Sequence, residues 1–111
     1  MIIRIIEKPI TRTEAREIAK EFYGNMVKGV VDVEREIIAL GGEWHMDANS
    51  LIIESGSRQD TVWGFNFYTD DGRIAYTSLI NIRPAQNNRK IEVEDEMLKG
   101  KMERIIRKLI V

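Results

Sequence analysis

Thr61-Val62-Trp63-Gly64-Phe65-Asn66-Phe67-Tyr68-Thr69-Asp70-Asp71-Gly72-Arg73-Ile74-Ala75-Tyr76-Thr77-Ser78-Leu79-Ile80-Asn81-Ile82-Arg83 is the stretch that decides the fold. Thr61 to Tyr68 and Arg73 to Arg83 are β-rich runs, and Asp71-Gly72 between them is a strong signal for a tight hairpin turn. Pairing Asp70 with Arg73 sets Trp63 opposite Ile80, Phe65 opposite Ser78 and Phe67 opposite Tyr76. These residues share a face with Ile74 and Ile82, which is the expected core face. Val62, Gly64, Asn66, Ala75, Thr77, Asn81 and Arg83 occupy the other face.

Working outward, residues 1–6 read as a β-branched strand that Pro9 breaks. Thr11 and Glu14 have the spacing of a capping box. From Thr13 onward Ala15, Ile18, Ala19, Phe22 and Met26 recur at helical spacing, and Gly24-Asn25 ends the helix. Residues 26–40 allow a helix by spacing. The β-branched blocks Val30-Val31-Asp32-Val33 and Ile37-Ile38-Ala39-Leu40, set around Glu34-Arg35-Glu36, favour a hairpin instead. Gly41-Gly42 is a breaker, and Leu51-Ile52-Ile53-Glu54 reads as a short strand closed by Ser55-Gly56-Ser57. Pro84 stops the long hairpin. Asp95 caps a last helix whose apolar stripe is Leu98, Met102, Ile105, Ile106, Leu109 and Ile110. The expected fold is α+β: two amphipathic helices packed on a mainly antiparallel β-sheet, two layers, one domain over residues 1–111.

Composition narrows the function classes. The chain has no cysteine, which removes disulfides, thiolate metal sites and cysteine nucleophiles, and suits a reducing cytoplasm. Charged residues reach 32% yet the net charge is only -1, so a strongly basic field for nucleic acid is absent. No run approaches the roughly 20 apolar residues of a membrane helix. Abundant isoleucine and high charge lean towards a thermophile, a lean that the asparagines weaken.

Two polar clusters can carry chemistry. In Glu43-Trp44-His45-Met46-Asp47, an extended chain puts Glu43, His45 and Asp47 on one face. Two carboxylates and the only histidine can ligate a divalent metal or act as an acid–base group, with Asp32 and Glu34 near enough to complete a site. The plainer reading is the solvated face of a half-buried strand. In the second cluster Asn81, Arg83, Gln86, Asn87, Asn88 and Arg89, with Lys90, combine positive charge with amide donors and acceptors. Such a loop can hold an anion through an arginine fork, or it is a polar turn whose bases pair with neighbouring acids. Trp44 and Trp63 can stack on bases, although Trp63 falls on the core face.

The chain resembles a family of small prokaryotic proteins known only as a domain of unknown function. The likeness rests on Gly41-Gly42-Glu43-Trp44-His45-Met46-Asp47, on Trp63-Gly64-Phe65-Asn66 and on Ile80-Asn81-Ile82-Arg83-Pro84-Ala85-Gln86-Asn87-Asn88-Arg89. It implies no activity, substrate or cofactor. Three functional readings stand. The first is a binding module that engages an anionic ligand or partner surface through residues 81–90. Self-assembly as a homodimer comes second, and a metal-assisted hydrolase using Glu43, His45 and Asp47 third.

Overall fold

The computed structural model describes all residues from Met1 to Val111. Its elements are β1 (Ile3–Ile6), α1 (Arg12–Ala19), β2 (Met26–Asp32), β3 (Ile37–Gly41), α2 (His45–Glu54), β4 (Val62–Tyr68), β5 (Ile74–Ala75) and α3 (Glu96–Leu109). The strands form one sheet in the order β1-β3-β2-β4-β5, every neighbouring pair antiparallel. The α+β expectation stands. The count of two helices does not: there are three, and they lie on both faces of the sheet.

The capping signals act as expected. Thr11 and Glu14 satisfy each other's backbone at the start of α1, and Asp95 Oδ1 accepts from Met97 and Leu98 N–H at the start of α3. Helix α1 is shorter than the spacing suggests, ending at Ala19; Phe22 lies outside it, exposed, and Met26 opens β2. Residues 26–41 do form a hairpin, with Val31 facing Ile38.

Helices α1 and α3 pack on one face of the sheet. Their Ala15, Ile18, Met102, Ile105 and Ile106 join Val31, Ile38, Leu40, Trp63, Phe65 and Phe67 in a cluster of 18 buried residues. On the opposite face a smaller cluster of 6 residues gathers Val30, Ile37, Ala39 and Val62 against Ala48 and Ile52 of α2. Strands β2 and β3 are thus apolar on both sides, which is why their runs do not alternate in polarity.

Two strand assignments need correction. Leu51–Glu54 is the end of α2, not a strand: His45, Ala48, Asn49 and Ile52 have helical spacing and form its buried side. The long hairpin pairs Asn66 with Ala75 and Phe67 with Ile74, two residues away from the expected register. Thr69 causes the shift, because its N–H and hydroxyl both bind the Asn25 carbonyl and withdraw it from the ladder. A slip of two preserves the faces, so Trp63, Phe65 and Phe67 remain in the core with Ile74 and Tyr76 packed against them. The second strand ends at Ala75. Leu79–Asn81 and Pro84–Gln86 are 3-10 turns, Ile80 packs towards the α2 side and Ile82 is exposed.

Candidate functional site

Residues 43–47 are not extended. Gly41 and Gly42 take φ values of 121° and 96°, which turn the chain from β3 into the first turn of α2. A Cβ on Gly42 would fall 2.7 Å from Asp47 Cβ, so the turn needs a glycine for space as well. Asp47 Oδ2 accepts from Glu43 N–H at 3.0 Å and Trp44 N–H at 2.9 Å, and its carboxylate is used by the helix start. Glu43 is exposed, and its carbonyl accepts from the Tyr23 hydroxyl. Nor does Asp32 approach them. It is buried, with Oδ1 accepting from Glu34 N–H, Arg35 N–H and the Thr61 hydroxyl. No three histidine or carboxylate side chains converge as a metal site.

His45 turns inward and is only 8% exposed. Its Nε2 lies 2.9 Å from the Phe65 carbonyl. A carbonyl only accepts, so Nε2 carries the proton and Nδ1 of the neutral ring does not. Burial pushes the imidazole pKa below its ordinary value; the Phe65 bond opposes this, the Lys28 charge adds to it, and the Asn66 side chain opposes it by hydrogen bonding. His45 is therefore neutral at pH 7.

The 81–90 segment spends most of its polar groups on the fold. Asn81 is fully buried; its Oδ1 accepts from Gly64 N–H, and its Nδ2 donates to the carbonyls of Gly64 and Ile91. Asn88 Nδ2 donates to the carbonyls of Asn81, Lys90 and Glu92, while its Oδ1 accepts from Glu94 N–H. The Arg83 guanidinium donates to the carbonyls of Ile80, Gln59 and Val62 and to Gln86 Oε1, and stacks 4.1 Å from the Trp63 ring centre. Burial lowers its pKa, with the Asp60 charge opposing. Gln86 Nε2 donates to the Asp60 carbonyl. Asn87 adopts the left-handed conformation that ends the Pro84 turn. Of the six residues expected to hold an anion, only Asn87 and Arg89 keep their side chains free of hydrogen bonds to the chain, and both are exposed.

The largest cavity lies elsewhere, on the α2 face. It encloses about 400 Å³ between β2, β4, the start of α2 and residues 77–80. Lys28 and Asn66, paired across β2 and β4, form its floor with His45, Thr77 and Ser78. Trp44, Met46 and Leu79 stand at its rim, 60%, 54% and 78% exposed. Lys28 Nζ lies 5.3 Å from the Tyr23 ring centre and 5.6 Å from that of Trp44. None of the ion pairs in the molecule involves it. Asn66 Oδ1 is buried without a hydrogen-bond donor, and its Nδ2 makes only a 3.5 Å contact to the Thr77 hydroxyl.

Reading the sequence found His45, Trp44 and Asn66 individually but did not bring them together, and it passed over Lys28. The signal was there: a lysine inside the apolar run Met26-Val27-Lys28-Gly29-Val30-Val31 is out of place unless its strand face is partly open.

The fold and cavity together define a small α+β domain whose largest cavity, lysine-floored and apolar-rimmed, lies on the side of its sheet away from the larger core. The chain belongs to the family described as Protein of unknown function (DUF5674), whose family model matches residues 4–109. No curated protein and no solved structure matches it. No helix is long and apolar enough to cross a membrane.

Proposed function

We propose that the chain is a small-molecule binding module whose site is the α2-face cavity. The observation that carries this reading is the combination of a cavity in the size range of ligand pockets with an exposed tryptophan and leucine at its mouth. Large apolar side chains left at a concave opening mark a binding surface more often than isolated ones do. In this reading Trp44, Met46, Leu79 and Ile80 cover the apolar body of the ligand, while Asn66, Thr77 and Lys28 meet its polar end. Burying two large apolar side chains contributes about 3–5 kcal/mol. Micromolar binding needs about 8 kcal/mol, so polar contacts must supply the remainder.

The 81–90 segment then serves as scaffold for residues 77–80, and the module works in the cytoplasm, as its lack of cysteine suggests. The test is calorimetry with two naphthalene probes, 1-naphthalenesulfonamide and 1-naphthalenesulfonate. At least one should bind saturably, and the double variant Trp44→Ala/Leu79→Ala, altered only at exposed positions, should lose that binding while keeping its melting curve. Binding that survives the double change, or no binding by either probe, would overturn the reading.

A further inference from the structure

We infer that the ligand of this cavity is an anion, held by Lys28 and taken up together with a proton on His45. The inference rests on the cavity reading above and adds the charge of the ligand and its dependence on pH.

Lys28 supplies the first part. It is the one charged side chain on the cavity wall, it has no carboxylate partner, and two aromatic rings hold its ammonium near the rim. A lysine already neutralised by a carboxylate would have little to offer a ligand. This one keeps its full charge for an incoming group in a setting drier than bulk water, where a charge contact gains strength.

The ring of His45 supplies the second. The Phe65 carbonyl holds Nε2, and Asn66, which lines the same cavity, favours the protonated ring. With the ring neutral and Nε2 protonated, Nδ1 has no proton to give, and Asn66 Oδ1 on the same wall is buried without a donor. The imidazolium adds a second N–H, on Nδ1, to a cavity wall that holds an acceptor without a donor. What opposes it is burial and the Lys28 charge. Apart from the Tyr23 phenol, whose ring lies beside Lys28, the other elements packed here add no titratable group: β4 contributes Phe65 and Asn66, and residues 77–80 contribute Thr77, Ser78, Leu79 and Ile80. On the histidine's own segment, Asp47 is held by backbone N–H groups and Glu43 is exposed.

An anion beside Lys28 removes that repulsion and adds attraction, so the ring gains a proton as the ligand enters. By linkage, the anion then binds more tightly as pH falls, by up to about tenfold per pH unit while one proton is taken up.

The probes separate the parts. The sulfonate keeps its charge across the range from about pH 5 to 8 in which histidine titrates, and the sulfonamide stays neutral there. The sulfonate should bind roughly tenfold more tightly, the worth of one modest charge contact, and Lys28→Met should erase the difference. His45 is the only histidine, so its ring C–H signals in proton NMR need no assignment. Its titration midpoint should rise when the protein is saturated with sulfonate and stay in place with sulfonamide. In unliganded Lys28→Met it should already be higher than in the parent. Equal binding of the two probes overturns the anion assignment while leaving the cavity reading intact. A sulfonate preference with an unmoved His45 midpoint overturns the proton coupling, and failure of both probes removes the cavity reading with it.

Discussion

The side-chain amide of Asn81 occupies the place of a strand beside Gly64, accepting from its N–H at 2.8 Å and donating to its carbonyl at 3.1 Å. Strand β5 stops at Ala75, so without this amide the edge of β4 would leave two buried backbone groups unpaired. Asn81→Ala should therefore lower stability by about 2–4 kcal/mol, read as a shift in the urea midpoint. Asn81→Asp keeps the acceptor but loses the donor, and should also destabilise. A midpoint within error of the parent would show that Asn81 is not what closes this edge.

Gly64 makes the arrangement possible by leaving room. A Cβ there would sit 2.5 Å from Ser78 Cβ and 2.7 Å from its Oγ. Gly64→Ala should cost roughly 1–3 kcal/mol as the 78–81 turn is pushed away. Adding Ser78→Gly should recover part of the loss, although it also removes the Ser78 hydroxyl that accepts from Ile80 N–H. Strictly additive effects in the double-mutant cycle would refute the contact.

Arg83 is expected to behave as a structural residue. Its guanidinium reaches backbone carbonyls of three segments and lies over the Trp63 ring. Lysine offers neither the fork nor the plane, so Arg83→Lys should lower stability by about 1–3 kcal/mol and alter tryptophan emission. The affinity for the naphthalene probes should stay unchanged. A loss of probe binding with stability intact would return the 81–90 segment to the binding site.

The buried histidine gives a pH signature. In the unfolded chain His45 titrates near 6.5, and in the folded chain lower. Between those two values the unfolded state binds more protons, so stability is full above about pH 6.5 and falls as pH drops below it. The slope from this group is at most about 1.4 kcal/mol per pH unit. Urea midpoints measured at about pH 7.5 and 5.5 should separate in the parent and converge in His45→Gln.

Much of the fold was legible, for physical reasons that also explain the failures. Thr11, Glu14 and Asp95 were readable because caps act through side chains within three residues. The faces of Trp63, Phe65 and Phe67 were readable because alternation survives a slip of two. The register was not, since it depends on Thr69 binding Asn25, 44 residues away. Helix α2 was hidden by Leu51-Ile52-Ile53, whose β-branched pair suggests a strand, and by His45 and Asn49, polar residues on its buried side. The candidate site was the least legible part. Lys28, Trp44, Asn66 and Leu79 come from four separate segments, and only the pairing of β2 with β4 beneath α2 assembles them.

The sheet divides this molecule into two unequal halves. Most of the buried apolar mass lies on the α1 and α3 side, and the cavity lies on the other, where exposed residues shape its mouth. Substitutions at Trp44, Met46 and Leu79 leave the larger half untouched. What keeps the chain folded and what shapes the cavity mouth are consequently different residues, so the mouth can change while the framework is kept.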